Sequence, residues 1–80
     1  MHGYGSRIKI VRDTLGYSSQ TEFARALRMT QGTISDWERE ETNPGRAGLL
    51  LVANLCADSD KVWKWLETGR DNPGIRPKKA

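Results

Sequence analysis

Ser19 and Thr30 each stand immediately before a helical pattern, and their separation leaves room for a helix of only about two turns between them. Ser19 with Glu22 three residues on is a capping box: the hydroxyl accepts an amide proton of the first turn, and the carboxylate reaches back. Phe23, Ala24 and Leu27 then share one face, and the helix ends near Leu27. Leu27-Arg28-Met29-Thr30 forms the turn, and Thr30 is the next N-cap. Ile34 and Trp37 are the apolar positions of the following helix, which fades near Glu40. Ala24 must be small because the two helices cross there at close range. Leu27, Met29, Ile34 and Trp37 must be apolar to fix that crossing against the rest of the domain. In length and punctuation the segment Gln20 to Arg39 is a helix-turn-helix.

The flanking sequence supplies three more helices. Ser6 caps a helix to about Leu15, with Ile8, Val11 and Leu15 at i, i+3 and i+7 and Gly16 as the stop. Tyr17-Ser18 is a short connection. Thr42-Asn43-Pro44-Gly45 breaks the chain after the third helix. Residues 49–56 are dense in apolar side chains, and periodicity alone allows a buried helix or a buried strand. Three preceding helices in a small domain favour the helix. Ala57 to Asp60 is a turn with Ser59 or Asp60 as cap. Val62, Trp63, Trp65 and Leu66 lie on a fifth helix ended by Gly69. The expected organisation is a flexible leader over 1–5, an all-α five-helix domain over 6–69, and a disordered basic tail over 70–80 marked by Pro73, Gly74 and Pro77.

Composition narrows the function. Eighty residues make one small domain with a lean core. No apolar run approaches the ~18 residues of a membrane span, and the first residues lack a signal-peptide layout. Cys56 is the single cysteine and forms no internal disulfide, so a cytoplasmic location is expected. The net charge is +3, and all of the excess falls in residues 70–80; residues 1–69 carry nine Lys/Arg and nine Asp/Glu. Nucleic-acid affinity must therefore come from local clustering, with the tail Arg76-Pro77-Lys78-Lys79 adding a salt-dependent, sequence-blind part. His2 is the only histidine, so no metal site or His-based catalytic pair can be built around it. Glu38, Glu40 and Glu41 lack any metal-ligand partner. No enzyme, cofactor or metal is expected. Cys56 reads as a small buried hydrophobe and Trp37 as core. Of Trp63 and Trp65, one must point outward more than the other.

The stretches Ser19-Gln20-Thr21-Glu22-Phe23-Ala24-Arg25-Ala26-Leu27 and Thr30-Gln31-Gly32-Thr33-Ile34-Ser35-Asp36-Trp37-Glu38-Arg39 resemble the lambda-repressor-like, Cro/C1-type (XRE) domains. The likeness runs over about residues 6–69 and includes Asn43-Pro44 and the ending Trp65-Leu66-Glu67-Thr68-Gly69. It implies that Gln31, Gly32, Thr33 and Asp36 face bases. It implies phosphate contacts for Ser19, Gln20, Arg39, Asn43 and Arg46, and a structural ion pair between Arg12 and Glu38. A glutamine amide at Gln31 matches adenine N6 and N7, and helix amides near Gln20 favour an anion. Four features depart from the family pattern. Arg28 replaces the usual turn glycine, where a left-handed backbone costs roughly 1 kcal/mol. Gly32 brings no side chain, Asp36 is acidic and only accepts, and the Tyr17-Ser18 connection is one residue longer.

The resemblance implies a sequence-specific regulator of transcription, of repressor type. It would bind a double-stranded DNA operator as a homodimer with recognition helices about 34 Å apart. The alternative is an antitoxin-like protein-interaction module built on the same bundle.

Overall fold

The computed structural model describes residues 3–78. Five helices follow in order: α1 Tyr4–Thr14, α2 Gln20–Leu27, α3 Gln31–Glu38, α4 Gly45–Ala53 and α5 Ser59–Thr68. The all-α reading holds, and residues 49–56 resolve the helix-or-strand question: α4 covers Gly45–Ala53, Asn54 and Leu55 are turn, and Cys56 makes one isolated bridge to Pro77. α2 packs on α3, α4 on α5, and α1 touches both α3 and α5. Ile8, Val11, Phe23, Ile34, Val52, Cys56, Val62 and Leu66 are fully enclosed between them. None of the helices is long and apolar enough to cross a membrane among the described residues.

Helix starts and stops follow local chemistry, with three differences from the sequence expectation. Ser19 Oγ accepts the Glu22 amide at 3.1 Å, but the Glu22 carboxylate takes the Ser18 hydroxyl at 2.6 Å instead of reaching back to the cap amide. Ser6 is not a cap: α1 begins two residues earlier, at Tyr4, with left-handed Gly3 (φ 90°) before it. The first-turn amides are met from far along the chain, because Glu40 Oε2 accepts from Gly3 N at 2.8 Å and Gly5 N at 2.9 Å. Neither Ser59 nor Asp60 caps α5; Asp58 precedes it in a left-handed conformation (φ 56°).

α1, α2 and α3 end alike. Tyr17 N bonds Arg12 O, Met29 N bonds Ala24 O, and Glu41 N bonds Asp36 O, each closing a Schellman turn over a left-handed residue. That residue is Gly16 (φ 88°) in the first case but Arg28 (φ 58°) and Glu40 (φ 60°) in the other two. Each non-glycine carries a strain of about 1–2 kcal/mol.

The ends of the chain differ from a plain leader and tail. Gly3 to Gly5 belong to the entry of α1, and Tyr4 is buried with its hydroxyl donating to Thr42 O at 3.0 Å. Residues 75–78 turn back across the α4–α5 connection. Ala57 N bonds Arg76 O at 2.9 Å, Lys78 N bonds Leu55 O at 3.3 Å, and Arg76 pairs with Asp58 at 2.7 Å. Ile75 is partly buried against the core, Pro77 pairs with Cys56 through the backbone, and this apolar anchor is what composition hid behind Pro73, Gly74 and Pro77. His2 and Lys79 lie outside the described residues.

Candidate nucleic-acid interface

The exposed side of α3 is built from the inside outward. Ile34 and Trp37 anchor the helix in the core. The Trp37 ring lies against Gly48 of α4, where an added Cβ would sit 3.0 Å from Cη2. At the crossing with α1, a Cβ on Gly5 would collide with the carbonyl oxygens of Glu38 and Trp37. Gly5 therefore lets α1 close on the backbone of α3, and Gly48 makes room on α4 for the Trp37 ring.

A hydrogen-bonded relay runs from α1 to the tip of α3. Arg12 donates Nε to Glu38 Oε2 at 2.8 Å and Nη2 to Oε1 at 3.3 Å. The two side chains are only 10% and 7% exposed. The bond to Glu38 raises the Arg12 pKa, against the opposing effect of burial. Gln20 Nε2 donates to Glu38 Oε1 at 3.0 Å, and Gln31 Nε2 donates to Gln20 Oε1 at 2.6 Å.

The buried carboxylate sets the direction of this relay. An ionised carboxylate only accepts, so Gln20 must turn its NH₂ inward and its carbonyl outward. Gln31 must then donate to that carbonyl. What Gln31 keeps for an outside partner is its own carbonyl and one N–H, an acceptor beside a donor.

The other residues singled out by sequence fall into separate groups. Gly32 is exposed at the first turn of α3 with nothing within 4 Å of an added Cβ. Thr33 is tied into the cap: its amide donates to Thr30 Oγ1 at 3.3 Å, and the two hydroxyls lie 2.9 Å apart. Asp36 pairs with Arg39 at 3.2 Å, and Arg39 also reaches Glu41 at 3.3 Å. Ser19 is occupied as the α2 cap. Asn43 Oδ1 accepts the Gly45 amide at 2.7 Å and so shapes the entry to α4. The Arg46 guanidinium lies 5.1 Å over the Trp63 ring and packs on α5. Trp63 is the more exposed of its pair but still half-buried, with its Nε1 enclosed, and Trp65 is buried.

Two residues that tie helix ends together escaped sequence reading. Glu40 fixes the start of α1, and Arg7 Nε donates to Leu66 O at 3.0 Å, closing the C-terminal end of α5. Both are long-range contacts with no local spacing signal. Among the described residues no group of three or more His, Cys, Asp or Glu side chains is placed to hold a metal ion.

The helix-turn-helix family matches residues 8–56 of the chain. The chain is also similar to an uncharacterized HTH-type transcriptional regulator of Haemophilus influenzae, 33% identical over 67 residues. That match takes in 84% of this chain but 26% of the relative, so the chain spans about a quarter of the relative's length. No solved structure matches the chain.

Proposed function

From the premise that the chain belongs to the helix-turn-helix family of Cro/C1 type, we propose that it binds a specific double-stranded DNA operator and regulates transcription as a repressor. α3 lies in the major groove, and a second copy bound to the adjacent half-site makes a homodimer. The observation that carries this reading is the polarised relay Arg12–Glu38–Gln20–Gln31. It holds an exposed amide at the leading edge of α3 with an acceptor and a donor both unspent, which is the pattern complementary to adenine N6–H and N7. A surface glutamine with no task of this kind has no reason to be fixed through two further side chains to a buried ion pair.

Within this proposal Gln31, Thr33 and Asp36 face the base edges, and Gly32 lets the backbone come close. Gln20, at the N-terminal end of α2, lies where helix amides favour a phosphate. Ser19, Arg39, Asn43 and Arg46 are the remaining candidates for the DNA backbone. Phosphate contacts set the register and base contacts choose the sequence.

Selection of bound sites from a random DNA pool, followed by titration of the selected duplex, tests the proposal. A palindrome-like site with half-sites about one helical turn apart is expected. Gln31→Ala should cost roughly 1–3 kcal/mol and relax one base position. Equal loss on every sequence would make Gln31 a backbone contact. Absence of a shift on any DNA at low salt would overturn the DNA reading and favour the protein-interaction module.

A further inference from the structure

Resting on the reading that α3 enters the major groove, we infer that Asp36 selects a cytosine in each half-site, with Arg39 as its counter-ion. A carboxylate turned toward a polyanion is repelled unless a specific donor meets it, so this residue type at the middle of the exposed face requires a reason. Asp36 is not a bare surface charge. Its Oδ1 accepts from Arg39 Nη2 at 3.2 Å, and the same nitrogen reaches Glu41 Oε1 at 3.3 Å. The guanidinium therefore shields the carboxylate from the C-terminal side of α3. On the other side, one turn earlier, Gly32 leaves open space, since a Cβ there would touch nothing within 4 Å. Among the described residues Asp36 Oδ2 has no hydrogen-bond partner.

The chemistry of the groove narrows what this oxygen can meet. Only the cytosine N4 and adenine N6 amino groups donate in the major groove. Adenine sets its N7 acceptor beside N6, and that acceptor repels an ionised carboxylate. Cytosine carries no competing acceptor on its own groove edge. The neighbouring acceptor is guanine O6 across the pair, a group suited to the guanidinium N–H donors of Arg39 that are not on Asp36. Asp36 Oδ2, an acceptor with no N–H on its own side chain, thus complements cytosine N4–H, and the Arg39 donors complement guanine O6 across the same pair.

Site selection with the wild-type chain, Asp36→Asn and Asp36→Ala tests this, with the fold of each variant checked by thermal melting. The wild type should select a half-site with one nearly invariant C·G pair. Asp36→Asn should move that position to adenine, which an amide reads at N6 and N7, with a change of about tenfold in the ratio of the two affinities. Asp36→Ala should leave the position open. Arg39→Met should weaken binding to the wild-type site by about tenfold, and adding Asp36→Asn should restore binding to the adenine-substituted site, because a neutral amide needs no counter-ion. If both Asp36 variants select the wild-type sequence at every position, the inference fails while DNA binding stands. A double variant as weak as Arg39→Met alone would leave Arg39 with a phosphate contact only and overturn the counter-ion. A wild-type chain that binds DNA but selects no sequence would likewise overturn the inference, and one that shifts no DNA at low salt would overturn the DNA reading itself.

Discussion

Glu40 caps α1 from the far end of α3: its Oε2 accepts the Gly5 amide at 2.9 Å and the Gly3 amide at 2.8 Å. α1 has no acidic residue in its first turn and no side-chain cap of its own. Its unpaired amides are met by a carboxylate 35 residues on from Gly5. Two effects oppose one another at this residue. Hydrogen bonds to a charged group contribute about 1.5–3 kcal/mol each, and the left-handed backbone (φ 60°) costs about 1–2 kcal/mol. Glu40→Ala loses the bonds and keeps the strain, whereas Glu40→Gly loses the bonds and relieves it. Both variants should be less stable than the wild type, with glycine better than alanine by about 1 kcal/mol, the reverse of their order in a helix interior. Urea unfolding of the three proteins checks this, and an alanine variant as stable as the wild type would remove the capping role.

Gly5 and Gly32 should respond to alanine in opposite directions. Glycine inside a helix is ordinarily worse than alanine by about 0.5–1 kcal/mol. At Gly32 there is open space, so Gly32→Ala should stabilise by about that amount. At Gly5 the added carbon would meet the Trp37 carbonyl at 2.8 Å and the Glu38 carbonyl closer still. Neither oxygen is on a flexible side chain. Gly5→Ala should therefore destabilise by about 1–3 kcal/mol, lowering Tm by about 4–8 °C for each kcal/mol. Equal shifts of the same sign in calorimetry would contradict the close approach of α1 and α3.

Arg12 and Glu38 are the most enclosed ion pair on the path to α3, at 2.8 Å with both side chains about nine-tenths buried. Removing one partner leaves a buried charge alone, which costs about 3–5 kcal/mol. Glu38→Ala should cause a loss of that size and also release Gln20, whose Nε2 has Glu38 Oε1 as its acceptor. Glu38→Gln should lose less stability but disturb the relay more selectively, because an amide can present either end to Gln20. The two effects separate when Tm is compared with the mobility of the Gln31 side-chain amide seen by NMR. An unchanged Tm in Glu38→Ala would mean the pair carries no weight.

The core pattern was readable because it repeats locally. Ile8 and Val11, then Phe23, Ala24 and Leu27, then Ile34 and Trp37, all sit at helical spacings, and all are buried. The Ser19 and Thr30 caps were readable for the same reason, since each acts on an amide three residues away. What the sequence concealed depends on contacts between distant segments. Glu40 on Gly3 and Gly5, Arg7 on Leu66, and residues 76–78 on the α4–α5 connection have no period and no fixed offset. Pro73, Gly74 and Pro77 signal an irregular backbone correctly, but irregular is not the same as loose, and Ile75 supplies the apolar contact that holds the segment. Around α3 the residue types were legible while the relay's direction was not, because polarity passes to Gln31 only after Glu38 is known to be buried.

Burial makes the chain sensitive to alkali through Cys56. Its thiol is fully enclosed, and burial pushes its pKa up to about 11, with Lys78 pulling the other way. In the unfolded chain a thiol ionises near ~8.5. Above that pH the unfolded state gives up a proton that the folded state keeps, so stability is fully present below ~8.5 and falls as pH rises through the folded value. The slope approaches about 1.4 kcal/mol per pH unit where only the unfolded thiol is ionised. Tyr4, raised first by burial and second by the charge of Glu40, adds a fall of the same sign, beginning near the ordinary tyrosine value of 10.0. Cys56→Ala should therefore flatten the urea midpoint between pH ~8.5 and ~10 and leave only the Tyr4 part of the loss above it. In the wild type, reaction with a thiol reagent at pH 8 should track global unfolding, since the folded thiol is neither ionised nor reachable. Alkaline curves that superimpose with and without the thiol would show that Cys56 titrates alike in both states.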